Sequence, residues 1–182
     1  AVIVGQKAII GRMAKPSRRG EVAAIEQQLK RYLSIKHITA PATLEGGDVI
    51  HLPENLICGI TQRTNVAGVI QLQDIINIPI ITIDDKNIIH LKSHITHLNK
   101  NIIVAIKAIT SYSILDPFEV LVIPDDEAYA ANTLTVNDTV LIAKGHPKTQ
   151  AMIKKAGFDT VVLDMSEFEK CDGALTCLSL FF

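Results

Sequence analysis

Asn137-Asp138-Thr139-Val140-Leu141-Ile142 takes the chain from a polar turn into an apolar strand, and Pro147 to Leu163 completes one supersecondary unit behind it. Pro147 stands near the first turn of an expected helix running to Ala156, where a fixed φ and a missing N–H cost nothing. Gly157 ends that helix, since glycine enters the left-handed region without a Cβ penalty. Thr160-Val161-Val162-Leu163 then reads as a strand, apolar and mostly β-branched. The unit is strand, helix, strand.

Toward the N-terminus the same form recurs. Gly5-Gln6-Lys7 leads into Ala8-Ile9-Ile10, Glu54-Asn55 into Leu56-Ile57-Cys58, and Asn99-Lys100-Asn101 into Ile102-Ile103-Val104. The starts are roughly 40 to 50 residues apart, the length of one repeating unit. After the first turn, Arg18 to Tyr32 places Val22, Ala23, Ile25, Leu29 and Leu33 at helical spacing. After the second, Asn65 to Ile75 is an expected helix and Pro79-Ile80-Ile81-Thr82-Ile83 an expected buried strand. The third unit is degenerate, because Ser111 to Asp116 is too short for a helix. It still closes on Val120-Leu121-Val122-Ile123 before Pro124. Strands alternating with helices imply an α/β fold. Similar units at this spacing suggest blades set around an axis, with functional residues on the loops at one end; an ordinary α/β sandwich is the competing reading.

Composition narrows the function classes. Hydrophobic residues make up 48% of the 182 and charged residues 20%, which is globular and expected to form a single domain over 1–182. With 18 basic and 19 acidic residues, and no basic run longer than Arg18-Arg19, neither nucleic acid nor an anionic membrane surface is an expected partner. No apolar stretch approaches the ~18 residues of a membrane span. Gln6 and Lys7 interrupt Ala1–Val4 too early for a signal peptide. Three widely spaced cysteines make a poor disulfide framework, so a reducing, cytoplasmic setting is expected.

Several residues are candidates for chemistry. Cys177 follows the turn pair Asp172-Gly173, which places it near the entrance of a terminal strand; the alternative is a small buried hydrophobe. Cys58, inside Leu56-Ile57-Cys58-Gly59-Ile60, reads as core, and Cys171 is ambiguous. His90 follows an expected strand at Ile88-Ile89, and with His94 and His97 makes an H-x3-H-x2-H cluster. A zinc reading of that cluster is poor, because Leu91 stands where the helical zinc-protease motif has glutamate. Glu45-Gly46-Gly47-Asp48 is either a solvated turn or a close backbone approach that aims Glu45 at a ligand. Arg18 and Arg63 both precede helices, where a cation does not help the helix itself. They are surface arginines or a fork for a carboxylate ligand.

Taken in order, five stretches resemble one family. They are Pro16-Ser17-Arg18-Arg19, Ala42-Thr43-Leu44-Glu45-Gly46-Gly47-Asp48-Val49, Arg63-Thr64-Asn65, His90-Leu91-Lys92-Ser93 and Asp172-Gly173-Ala174-Leu175-Thr176-Cys177. The family is that of the dimethylarginine dimethylaminohydrolases, in the guanidino-modifying (amidinotransferase) superfamily, whose fold is a five-bladed α/β propeller, the pentein fold. The resemblance implies Cys177 as nucleophile, His90 as general acid and base, and Glu45 as the carboxylate completing the triad. It implies Arg18 and Arg63 as holders of the substrate α-carboxylate, and Asp172 as an acid against the substrate guanidinium. Lys92 looks like this family rather than arginine deiminase, which carries aspartate there. About four units are visible where the family fold has five. The chain is therefore expected to lack roughly one N-terminal blade: either the missing part lies in a second chain, a homo-oligomer or residues outside this sequence, or the chain is a degraded relic.

The expected activity is hydrolysis of Nω-methylated arginine to citrulline and a methylamine, through a covalent thiouronium. A thiolate is the strongest nucleophile a protein offers, and an unperturbed thiol is only partly ionised at neutral pH. A bound guanidinium and a nearby imidazolium would both favour the thiolate. No metal or organic cofactor is needed. Arginine deiminase or amidinotransferase action is the nearby alternative. The other class is a non-catalytic propeller that serves as a binding module.

Overall fold

The computed structural model describes residues 1–99 and 101–182; Lys100, the middle of the third expected turn, lies outside the described residues. Two compact units emerge, one of Ala1–Leu91 with Leu180–Phe182, the other of Lys92–Ser179.

The first unit holds two sheets. β1 (Val2–Val4) and β2 (Lys7–Ile10) pair antiparallel; a 3-10 stretch at Pro16–Glu21 and α1 (Val22–Leu29) return the chain to β3 (Ser34–His37), parallel to β2. β4 (Val49–His51) and β5 (Leu56–Ile60) repeat the hairpin, and α2 (Val66–Ile75) crosses to β6 (Ile80–Asp84), again parallel. The second unit does the same twice. β7 (Ile95–Asn99), β8 (Ile102–Ile106) and β9 (Glu119–Ile123) form one sheet. β10 (Leu134–Val136), β11 (Thr139–Ala143), α3 (Pro147–Lys155) and β12 (Asp159–Leu163) form the other. In every sheet the middle strand is the second in sequence.

That topology explains where the apolar runs went. A middle strand has neighbours on both sides and layers on both faces, so it reads as a continuous apolar run. β5 is buried at all five positions. β6 was expected to be buried but keeps only Ile83 inside, because it is the outer strand of its sheet. The hairpin between β10 and β11 turns on Asn137 (φ 47) and Asp138 (φ 63), both left-handed, as a two-residue primed turn requires. Gly157 takes φ 95 after α3, as its position implied. The third unit crosses on two 3-10 turns, Lys107–Ile109 and Ser113–Leu115, and has no α-helix among its described residues.

The first helix is shorter than its spacing suggested. Residues 16–21 form a 3-10 stretch, and α1 stops at Leu29 rather than Tyr32. Beyond it the Ser34 N–H donates to the Gln6 carbonyl at 2.9 Å, which draws the chain into β3. The core of the first unit joins both its sheets through Ile9, Leu44, Val49, Leu56 and Leu72, with α2 contributing Val69 and Leu72. α2 lies hard against the segment before Glu45, for a Cβ on Gly68 would collide with the Thr43 carbonyl. In the second unit Val104, Ile123, Val140, Ile142 and Ile153 form the main cluster, and Ala143, Met165 and Leu175 a smaller one. Among the described residues no helix is long and apolar enough to cross a membrane.

Candidate active site

Glu45 is the centre of the first unit's polar cluster. It sits between the buried strand-like Leu44 and a single 3-10 turn, Gly46–Asp48, and is only 2% exposed. Its Oε2 lies 2.8 Å from His90 Nε2 and accepts from Arg18 Nη1 at 2.9 Å, while its Oε1 accepts from the Ala14 N–H at 3.1 Å. Burial alone pushes this carboxyl up. The His90 hydrogen bond, the Ala14 N–H and the charges of His90 and Arg18 more than offset that, holding it below the ordinary glutamate range. An ionised carboxylate only accepts, so His90 Nε2 carries a hydrogen and Nδ1 is the nitrogen left to exchange a proton.

Gly47 makes the approach of His90 feasible. A Cβ there would lie 2.8 Å from the imidazole Cγ and 2.9 Å from Cδ2. The glycine pair is thus a close approach, and the solvated-turn reading of Glu45-Gly46-Gly47-Asp48 is corrected: both carboxylates are buried. His90 itself lies in a loop. The strand expected at Ile88-Ile89 does not form; the Ile88 carbonyl instead accepts from the Gln62 N–H at 3.2 Å.

Asp48, fully buried, ties this loop to its surroundings. Its Oδ1 accepts from the Leu91 N–H at 2.9 Å, immediately after His90. Its Oδ2 accepts from Thr61 Oγ1 at 3.0 Å and Thr64 Oγ1 at 2.6 Å. Thr64 Oγ1 in turn accepts from the Glu45 N–H at 3.1 Å. Burial pushes the Asp48 carboxyl above the ordinary aspartate range, and its hydrogen bonds from Thr64, Leu91 and Thr61 offset this only in part. Thr61 and Thr64 flank Arg63, so one buried carboxylate braces both the His90 loop and the Arg63 turn. Sequence reasoning noted Asp48 only as a turn residue. The signal was a threonine on either side of the arginine.

The two arginines differ. Arg18 grips Glu21 through Nε and Nη2, each at 2.9 Å, and reaches Glu45 with Nη1, so its whole fork faces protein carboxylates. Glu21 was not anticipated. Arg63 is half-buried, with its Nε buried and without a hydrogen-bond partner.

In the second unit Cys177 lies on a 3-10 turn, Leu175–Leu178, and not on the strand expected for it. It is exposed, and its N–H donates to the Ala174 carbonyl at 3.0 Å. Ahead of it Asp172 is exposed in a left-handed turn (φ 56), closed by Gly173 N–H to the Phe168 carbonyl at 2.8 Å. Tyr129 Oη donates to the Gly173 carbonyl at 2.7 Å. Cys58 is the opposite case: it is fully buried, and desolvation, aided by the Asp48 charge, pushes its thiol up to about 12. Among the described residues no three His, Cys, Asp or Glu side chains gather as a metal site would need.

A family model described as arginine deiminase matches residues 1–128, which places the chain among the guanidino-modifying enzymes. The dimethylarginine dimethylaminohydrolase of Pseudomonas aeruginosa is 33% identical over 180 residues, 96% of this chain and 71% of that one. The protein of the same name from Streptomyces coelicolor is 32% identical over 183 residues, 98% of this chain and 70% of that one. The chain belongs to the dimethylarginine dimethylaminohydrolase family. A solved structure of a Cys-to-Ser mutant of the Pseudomonas enzyme complexed with citrulline superposes with a TM-score of 0.95 and 31% identity. It covers 100% of this chain and 73% of that one. The N-terminal domain of the cyanobacterial arginine dihydrolase ArgZ shares the fold alone, with a TM-score of 0.90, 18% identity and coverage of 98% of this chain and 71% of that one.

Proposed function

We propose that the protein is a cysteine-dependent hydrolase of Nω-methylated arginine, releasing citrulline and methylamine or dimethylamine. The observation that carries this reading is the His90–Glu45 pair, at 2.8 Å on a buried carboxylate, in a chain one-third identical to enzymes of that name. Cys177 is the nucleophile. Its thiolate attacks the central guanidinium carbon, and the C–N bond to the methylated nitrogen breaks as His90 Nδ1 donates its proton to the departing amine. The product of that step is an S-alkyl thiouronium. His90, now neutral, takes a proton from water as the oxygen adds to the same carbon. Breaking the C–S bond returns the thiolate, and loss of the remaining hydroxyl proton to solvent, where the released amine takes one up, leaves the ureido group of citrulline.

Glu45 keeps His90 in the tautomer that exposes Nδ1, and its negative charge stabilises the imidazolium. Arg63, with a buried Nε that no protein group satisfies, and Arg18 hold the substrate carboxylate; for Arg18 this means exchanging Glu21 for the ligand. Asp172 meets the guanidinium. Three free cysteines support a reducing, cytoplasmic setting. Lys92 after His90-Leu91, and relatives named for the methylated substrate, favour this reaction over arginine deimination.

The test is citrulline release from asymmetric dimethylarginine by the purified protein, with arginine as the competing substrate. Citrulline from the methylated substrate with little from arginine is expected. Turnover of neither would sink the reading, and preference for arginine would replace it with deimination.

Glu45→Gln should lower kcat by about 10²- to 10³-fold, since an amide neither selects the His90 tautomer nor stabilises the imidazolium. It should also change stability with a definite sign. A carboxyl held low in the folded state contributes stability present above its unfolded pKa, about 4.3. That contribution disappears as pH falls through the folded value. Urea titrations of both proteins between neutral pH and pH 3 should therefore converge in the acid. Curves that stay parallel would mean Glu45 is not held as its contacts imply.

A further inference from the structure

Asn132 ends the 3-10 stretch Asp125–Ala131 and is 4% exposed. Its Nδ2 donates to the Lys92 carbonyl at 2.9 Å and to Thr176 Oγ1 at 2.8 Å, and its Oδ1 accepts from the Thr176 N–H at 3.0 Å. One side-chain amide thus holds two segments at sequence separations of 40 and 44 residues. One is the residue immediately before Cys177. The other is two residues beyond His90.

The amide is itself held in place. Ala130 and Ala131, directly before it, are fully buried in the main cluster of the second unit. The Ala131 carbonyl accepts from Thr96 Oγ1 at 2.7 Å, and the Thr133 N–H donates to Thr96 Oγ1 at 3.3 Å. Both flanks of Asn132 are therefore pinned to β7. A buried amide is costly unless its bonds are made, and here both donors and the acceptor are engaged. All of them are spent on the neighbours of Cys177 and His90.

We infer that Asn132 is a positioning residue, tying Thr176 to the Lys92 carbonyl at the start of the second unit so that the Cys177 thiol is aimed. The inference rests on the role proposed above for Cys177. Asn132 takes no proton. It acts by orientation, where displacement of a reacting group by about 1 Å costs on the order of 10²-fold in rate.

Two variants test it, with Cys171 as an internal standard, since it is exposed and lies outside the clamp. Asn132→Ala removes all three bonds. Asn132→Asp keeps an acceptor for the Thr176 N–H but sets a carboxylate oxygen against the Lys92 carbonyl. Peptide-resolved alkylation by iodoacetamide across pH reads the thiol without needing turnover. In both variants the rate of Cys177 alkylation should change by about threefold or more while the Cys171 rate stays put. With asymmetric dimethylarginine, kcat should fall about tenfold to a hundredfold and KM should stay within about threefold. Hydrogen-exchange protection of Thr139–Ala143 checks that the second unit remains folded. If Asn132→Ala loses that protection, Thr176→Val, which deletes only the hydroxyl half of the clamp, carries the same test. A Cys177 profile and kcat equal to wild type in folded variants would overturn the inference. Absence of citrulline from the wild type would sink the hydrolase reading instead, and the alkylation profiles would still decide the role of Asn132.

Discussion

Cys177→Ala is expected to release no measurable citrulline from asymmetric dimethylarginine, a loss of at least about 10⁴-fold. The guanidinium carbon is a poor electrophile because its positive charge is delocalised over three nitrogens. Water positioned by His90 is a far weaker nucleophile than a thiolate. No other thiol is equipped to take over. Cys58 is buried, and with its thiol pushed up to about 12 it is protonated at any working pH. Cys171 is exposed, but its N–H is tied to the Phe168 carbonyl at 3.0 Å, before the Asp172 turn rather than after it. The variant should still bind substrate, because Arg18 and Arg63 are untouched, and calorimetric titration would show that. Iodoacetamide should label Cys177 in the wild type much faster than Cys58. If Cys177→Ala kept turnover within about tenfold of wild type and Cys171→Ala lost it, the nucleophile would be reassigned to Cys171.

Much of this was legible because the repeat is written in two simple codes. Polar turns followed by apolar runs located all four middle strands, and Pro147 with Gly157 bracketed α3 almost to the residue. What misled was the environment of a strand. Pro79 to Ile83 is as apolar as a middle strand, yet β6 is paired on one side only, a fact settled by tertiary pairing that local pattern does not encode. Cys177 is similar. Its neighbours Leu178, Leu180, Phe181 and Phe182 are apolar enough to suggest a strand, but Thr176 is claimed by Asn132, and the chain turns as a 3-10 helix instead. At the site, Glu45, His90, Arg18 and Arg63 were all singled out, and the structure brings Glu45, His90 and Arg18 into direct contact. The supporting residues were not read. Asp48, Thr61, Thr64, Glu21 and Asn132 are polar residues whose importance lies in long-range hydrogen bonds, and no periodicity announces such a bond.

Asp48→Ala is expected to be the most destabilising single change at the site, by about 3–5 kcal/mol. The reason is the direction of its hydrogen bonds. Thr61 Oγ1 already accepts from the Arg63 N–H at 3.0 Å and lies 3.4 Å from the Thr64 N–H, while Thr64 Oγ1 accepts from the Glu45 N–H. Their hydroxyl hydrogens are therefore aimed at Asp48, as is the Leu91 N–H, and alanine leaves all three donors facing an apolar gap. Asparagine fills the gap but turns an NH₂ toward hydroxyls whose oxygens are already occupied, so Asp48→Asn should recover only part of the loss. The pH signature should be opposite to that of Glu45. Burial raises the Asp48 carboxyl, and a group raised in the folded state contributes stability present below its unfolded pKa, about 3.9, that is lost as pH rises through the folded value. The advantage of wild type over Asp48→Asn in urea unfolding should thus grow toward acid, where its advantage over Glu45→Gln shrinks. Function should follow the same bonds, because the Leu91 N–H is the first backbone donor after His90 and the threonines bracket Arg63. A folded Asp48→Asn should lose kcat through His90 and gain KM through Arg63, whereas loss of stability with both constants unchanged would confine Asp48 to a purely structural role.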